Sequence, residues 1–82
     1  MKEKIVLVEW WDACGGSKSG WHPMKDIVDQ KPALARSVGF LVRNEPDVVV
    51  VCPHTVEADG HMDGDGELAI PKSWVKRIKV LK

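Results

Sequence analysis

The sequence predicts a single, mostly β domain: a small five-stranded barrel with one short helix after its first strand. Three observations predict it. Short β-branched and aromatic runs recur, separated by glycine, proline and acidic turn residues. One segment, Met24 to Val28, follows a proline and carries apolar residues at i, i+3 and i+4, the pattern of a short helix. Finally, 82 residues make one domain, in which closing a small sheet removes its unpaired edges.

The first strand is expected from about Lys4 to Ala13, where Ile5-Val6-Leu7-Val8-Glu9-Trp10-Trp11 combines β-branched and aromatic side chains. The Gly15–Gly20 stretch ends it. Pro23 suits the first turn of a helix, where its missing N–H would be unpaired anyway. Met24, Ile27 and Val28 then give one apolar face to a short helix over Pro23–Gln30. Lys31-Pro32 stops it, because a residue before proline is pushed out of the helical region.

Ser37–Arg43 alternates and reads as a second strand. Asn44-Glu45-Pro46-Asp47 is turn chemistry leading into Val48–Cys52, whose four successive valines suggest a strand buried on both faces. Asp59–Gly66 reads as a polar loop and Glu67–Ile70 as a short fourth strand. Pro71-Lys72-Ser73-Trp74 reads as a tight or 3₁₀ turn. Arg77–Leu81 is the last strand, with Ile78 and Val80 inward.

Composition narrows function. Twelve basic and twelve acidic residues cancel, so a nucleic-acid role needs a local basic patch. The C-terminal Lys72, Lys76, Arg77, Lys79 and Lys82 are the candidate, and Glu57, Asp59, Asp63, Asp65 and Glu67 form the acidic counterpart. The longest apolar run, Val48–Pro53, is far too short to span a bilayer. The charged Met1–Lys4 start runs straight into a short apolar stretch, unlike a secretory leader. A cytoplasmic location with reduced Cys14 and Cys52 is expected, without a membrane role.

The combination of Val8-Glu9-Trp10-Trp11-Asp12-Ala13, Gly20-Trp21, Ser37–Val42 and Ile70-Pro71-Lys72-Ser73-Trp74-Val75-Lys76-Arg77-Ile78 resembles a group of short, uncharacterised bacteriophage proteins with SH3-like or Sm-like barrels. The resemblance covers nearly the whole chain. It implies an SH3-like or Sm-like domain over residues 1–82, located in the host cytoplasm. The Sm-like side of it implies a ring of identical barrels joined edge to edge, with single-stranded RNA as ligand. The RNA-contacting Asp/Asn pair and the Arg-Gly turn typical of Sm proteins are not seen in Asn44–Asp47 or Pro71–Trp74.

Four constellations carry chemistry. Cys14, His22, Cys52 and His54 have the donor types of a closed zinc site, although their spacing matches no zinc pattern and there is no Cys-x-x-Cys. The same residues offer a Cys–His nucleophile pair, but a barrel this small lacks a water-excluding cleft, so no enzyme and no cofactor are expected. Asp59–Glu67 resembles a calcium loop, yet His61 and Ile70 occupy the third and twelfth positions, where ligands belong. The strongest signal is aromatic. Trp10 and Trp11 are adjacent in a strand and point to opposite faces. One fills the core, and the other is either covered by the helix, the tryptophans then filling the seam between helix and barrel, or left for a partner. Trp74 lies beside Lys72, Lys76 and Arg77, a pairing that stacks bases and neutralises phosphate.

A binding module is therefore expected, with Trp10, Trp11, Trp74, Lys72, Lys76, Arg77 and Lys79 as its ligand-facing residues. A homo-oligomer with a protein or single-stranded nucleic-acid ligand leads. A protein-interaction module follows, and a metal-stabilised barrel comes third.

Overall fold

The computed structural model describes residues 4–13 and 20–82. Along the chain they form β1 (Ile5–Asp12), a one-turn helix α1 (Met24–Ile27), β2 (Ala33–Asn44), β3 (Val48–Cys52), β4 (His54–Ala58), β5 (His61–Asp65) and β6 (Leu68–Pro71). A 3₁₀ turn (Lys72–Trp74) and β7 (Val75–Val80) follow. Five strands make one antiparallel sheet in the order β6-β3-β2-β1-β7. The remaining two, β4 and β5, form a separate hairpin.

The expected five-stranded sheet is present, and so are the first strand, the Val48–Cys52 strand and the 3₁₀ turn. The closed barrel is not: β6 pairs only with β3 and β7 only with β1. The sheet is nevertheless curled. Its two edges are consecutive in sequence, Pro71 ending one and Val75 starting the other. Four interstrand spacings would hold the edges of a flat sheet about 19 Å apart. A 3₁₀ connection over the same residues spans about 8 Å. The edges must therefore approach at this corner, leaving an open seam beyond it.

Two features let β2 bend inside the curl. Its N-terminal half pairs with β1 and its C-terminal half with β3, with a register shift between Leu41 and Arg43 that leaves Val42 as an extra residue. At Gly39 the carbonyl carbon and oxygen of Cys52 would stand 2.9 Å from a Cβ. Only a residue without a side chain lets β3 cross so close.

Alternation along β1 sends Val6, Val8 and Trp10 to the concave side. There Val6, Val8, Val49, Val51 and Ile70 are fully buried, and Trp10, Leu41, Val75 and Ile78 pack against them. The indole N–H of Trp10 donates to Ser37 Oγ at 3.0 Å. Val80, expected inward, is half exposed.

The helix is shorter than the Pro23–Gln30 expected, and it buries none of its residues. With none of its residues buried to support it, one turn is all that local sequence sustains. It covers no tryptophan seam: residues 20–32 are exposed throughout. The polar loop expected at Asp59–Gly66 is mostly strand. Asp59 (φ 52°) and Gly60 (φ 78°) form a tight two-residue turn between β4 and β5. The chain is elongated at 56 × 24 × 20 Å, with a radius of gyration of 16.6 Å against about 12 Å for a compact domain of this length.

Replacing Gly39 by alanine should destabilise the fold by roughly 1–3 kcal/mol, because the atoms in the way are backbone and cannot rotate aside. Urea unfolding followed by tryptophan fluorescence measures it, and an unchanged midpoint would refute the crossing.

Candidate functional site

The convex face of the sheet carries the side chains that β1 does not send inward. Register places Leu7 beside Val38 and Lys79, Glu9 between Arg36 and Arg77, and Trp11 beside Leu34. Glu9 is the one buried charged residue among those described. Its Oε2 accepts from Arg36 Nε at 3.2 Å, and its Oε1 from Arg77 Nε at 2.8 Å. Burial pushes the Glu9 carboxyl upward, but the two guanidiniums outweigh it and hold the group below its ordinary value. Both arginine side chains remain more than half exposed.

A second irregularity shapes this face. Glu9 is opposite Arg77 and Trp10 opposite Val75, so Lys76 is an extra residue bulged from β7. In a regular strand Lys76 and Arg77 would point to opposite sides. The bulge instead brings Lys76 round to the convex side, where its Nζ lies 5.6 Å from the Trp11 ring centroid. Trp11 is 42 % exposed and Trp74 is 41 % exposed. The 3₁₀ turn bearing Trp74 packs beside β1.

The expected ligand-facing residues therefore divide. Trp11, Lys76, Arg77 and Lys79 share the convex face, and Trp74 is exposed near them. Trp10 is a core residue tied to Ser37 and is not available to a ligand. The ammonium of Lys72 is engaged by Asn44 Oδ1, so it braces the β2–β3 turn. Arg36 was not among the expected residues. The only hint in the sequence is a lone acid, Glu9, inside an apolar strand, and its partners depend on cross-strand register.

The cysteine–histidine constellation does not assemble among the described residues, in which no group of three or more His, Cys, Asp or Glu side chains is placed to hold a metal ion. Cys14 lies outside them. His22 is in the exposed stretch before α1, whereas Cys52 is a buried thiol at the end of β3. Its S–H faces the carbonyl oxygens of His54 (3.1 Å) and Asp65 (3.6 Å), which pins the base of the β4–β5 hairpin.

That hairpin overhangs the convex side of β2 and β3. Between them is an open groove of about 310 Å³ lined by Val42, Val50, Cys52, Thr55, Met62 and Gly64 together with the acidic Asp63 and Glu67. Residues 57–67 hold five acids and neither Lys nor Arg, whereas residues 72–82 hold five bases and no acid. The neutral chain is thus strongly divided in charge.

Because Glu9 is held below its ordinary value, the unfolded chain takes up a proton first as the pH falls. The stability due to the Arg36–Glu9–Arg77 cluster is complete above the ordinary glutamate value of ~4.3 and is lost progressively below it. A Glu9→Gln variant should melt lower than wild type at pH 7 and lose less on acidification from pH 5 to 3. Parallel acid limbs in melting curves across that range would refute the cluster's role.

Compared with known proteins, the chain matches no family model, no curated protein and no solved structure.

Proposed function

We propose that this chain is a small SH3-like module that binds single-stranded nucleic acid on the convex face of β2, β1 and β7, and that it self-associates. The strand order β6-β3-β2-β1-β7 with a 3₁₀ turn before the last strand supports the SH3-like reading, as an unsealed form of such a barrel.

The bulge at Lys76 is the observation that carries the nucleic-acid reading. It gathers Lys76 and Arg77 beside an exposed Trp11, with Lys79 and Arg36 on the same side. A base stacking on Trp11 has to displace Lys76. An exposed cation–π contact is worth about 0.5–1 kcal/mol, whereas base–aromatic stacking contributes about 1–3 kcal/mol, so the exchange is favourable. Phosphates then meet Lys76, Lys79 and the outer parts of the two arginines. Glu9 orients those arginines and halves their net charge, which suits a weak, salt-sensitive grip more than a tight one.

Self-association is favoured by a separate observation: β6 and β7 each leave one edge unpaired within the sheet, and open edges recruit further strands.

A short single-stranded RNA should quench the tryptophan fluorescence at low salt, with affinity falling as salt rises. Trp11→Ala should weaken binding by roughly 5- to 150-fold, matching the loss of one stacked base, and Arg77→Ala should also flatten the salt dependence. No quenching at low salt, or quenching that Trp11→Ala leaves intact, would overturn this reading. Capture of a protein through Trp11 without RNA binding would replace it with the protein-interaction role.

A further inference from the structure

Among the described residues, an apolar segment and an apolar groove are both left uncovered. The segment is the arm of residues 20–32, where Trp21 is wholly exposed, Met24 and Val28 are 75 % and 74 % exposed and Ile27 is 40 % exposed. The groove is the one under the hairpin, between Val42, Val50 and Met62. The arm joins the sheet at Ala33, nine residues of β2 away from Val42, or about 30 Å of strand. No arm residue lines the groove.

We propose that the groove seats the arm of a second copy of this chain, in a head-to-tail contact. Three observations converge on that occupant. The first is surface. The chain exposes 6477 Å², whereas a compact monomer of 9.1 kDa exposes roughly 4,900 Å². The excess is about what one chain loses when its arm and its groove are both engaged, since a stable contact of standard size covers about 800 Å² on each partner.

The second is fit. A groove of about 310 Å³ takes one or two side chains of the arm's single helical turn, in the manner of an amphipathic helix laid in a groove. On that turn Met24, Ile27 and Val28 form one stripe.

The third is charge. The charged residues lining the groove are both acidic, Asp63 and Glu67, with no basic residue among them. At 100° per residue, Lys25 flanks the apolar stripe of the arm while Asp26 lies opposite it. An arm seated by its stripe therefore brings Lys25 toward these carboxylates and turns Asp26 to solvent. Lys31 and Asp29 lie outside the helical turn, nearer the sheet.

Since the arm and the groove are different surfaces, the contact is heterologous. It propagates to a ring if the rotation closes and to a filament if it does not. This contact rests on the self-association proposed above but takes the arm and groove, in place of the open sheet edges, as its route, and it does not depend on the RNA reading.

The test is complementation, read by native mass spectrometry and light scattering at about 100 µM and low salt. Wild type should be larger than a dimer. Met24→Asp/Val28→Asp, which spoils only the arm, should be monomeric, and so should Val42→Asp, which spoils only the groove. Mixing the two variants leaves one intact arm and one intact groove, and should give a discrete 1:1 heterodimer that goes no further. Circular dichroism of each variant matching wild type shows that the fold survives. A monomeric wild type would overturn self-association itself. An oligomeric wild type whose arm variant assembles equally well would overturn the arm-in-groove contact alone, leaving the sheet edges as the site. Two monomeric variants that fail to pair would also overturn it.

Discussion

Three residues joining the two edges of the sheet govern much of this molecule. Because Lys72-Ser73-Trp74 must connect β6 to β7, a five-stranded sheet cannot lie flat. It curls, and the curl creates an inside for Val6, Val8, Val49, Val51 and Ile70 and an outside for everything that alternates with them. β2, the longest strand, absorbs the bending through Gly39 and the extra residue at Val42. The same curvature throws the β4–β5 hairpin over the convex surface, where Cys52 secures its base.

The two bulges serve different ends. The one in β2 changes the direction of a strand. The one in β7 changes the company a side chain keeps, since it moves Lys76 to the side of Trp11 and Arg77. Glu9 then matters twice. It lines up Arg36 from one neighbouring strand and Arg77 from the other, so that a single carboxylate ties three strands together on the face where cations would otherwise repel one another.

Much of the fold is legible in the sequence because the relevant signals are local. The β-branched run at Ile5–Val8, the valines at Val48–Val51, the turn at Asn44–Asp47 and the Pro71–Trp74 turn each announce themselves. So does the opposition of Trp10 and Trp11, which follows from strand geometry alone. The β4–β5 hairpin is harder to read because the few apolar residues of His54–Asp65 are split between its faces, Val56 and Ala58 on one and Met62 on the other, so neither reads as a core face. Its one sign is Asp59-Gly60, a dipeptide that favours such turns. The helix reads as longer than it is because apolar spacing promises a packing partner that the chain does not supply. The candidate site is the least legible part. Trp11, Arg77 and Lys79 follow from composition and alternation, but Arg36 and the position of Lys76 depend on which residues face one another across strands.

The division of charge between residues 57–67 and 72–82 has a consequence for the protein as a solute. With equal numbers of acids and bases the chain has almost no net charge near its isoelectric point of about 6.8, yet it carries a substantial dipole. Such a molecule is drawn to its own kind most strongly in dilute buffer, because net repulsion is absent while opposite patches attract. Added electrolyte screens those patches over about 10 Å at 0.1 M. The protein should therefore become more soluble on adding moderate salt, the reverse of what a uniformly charged domain of the same size would do.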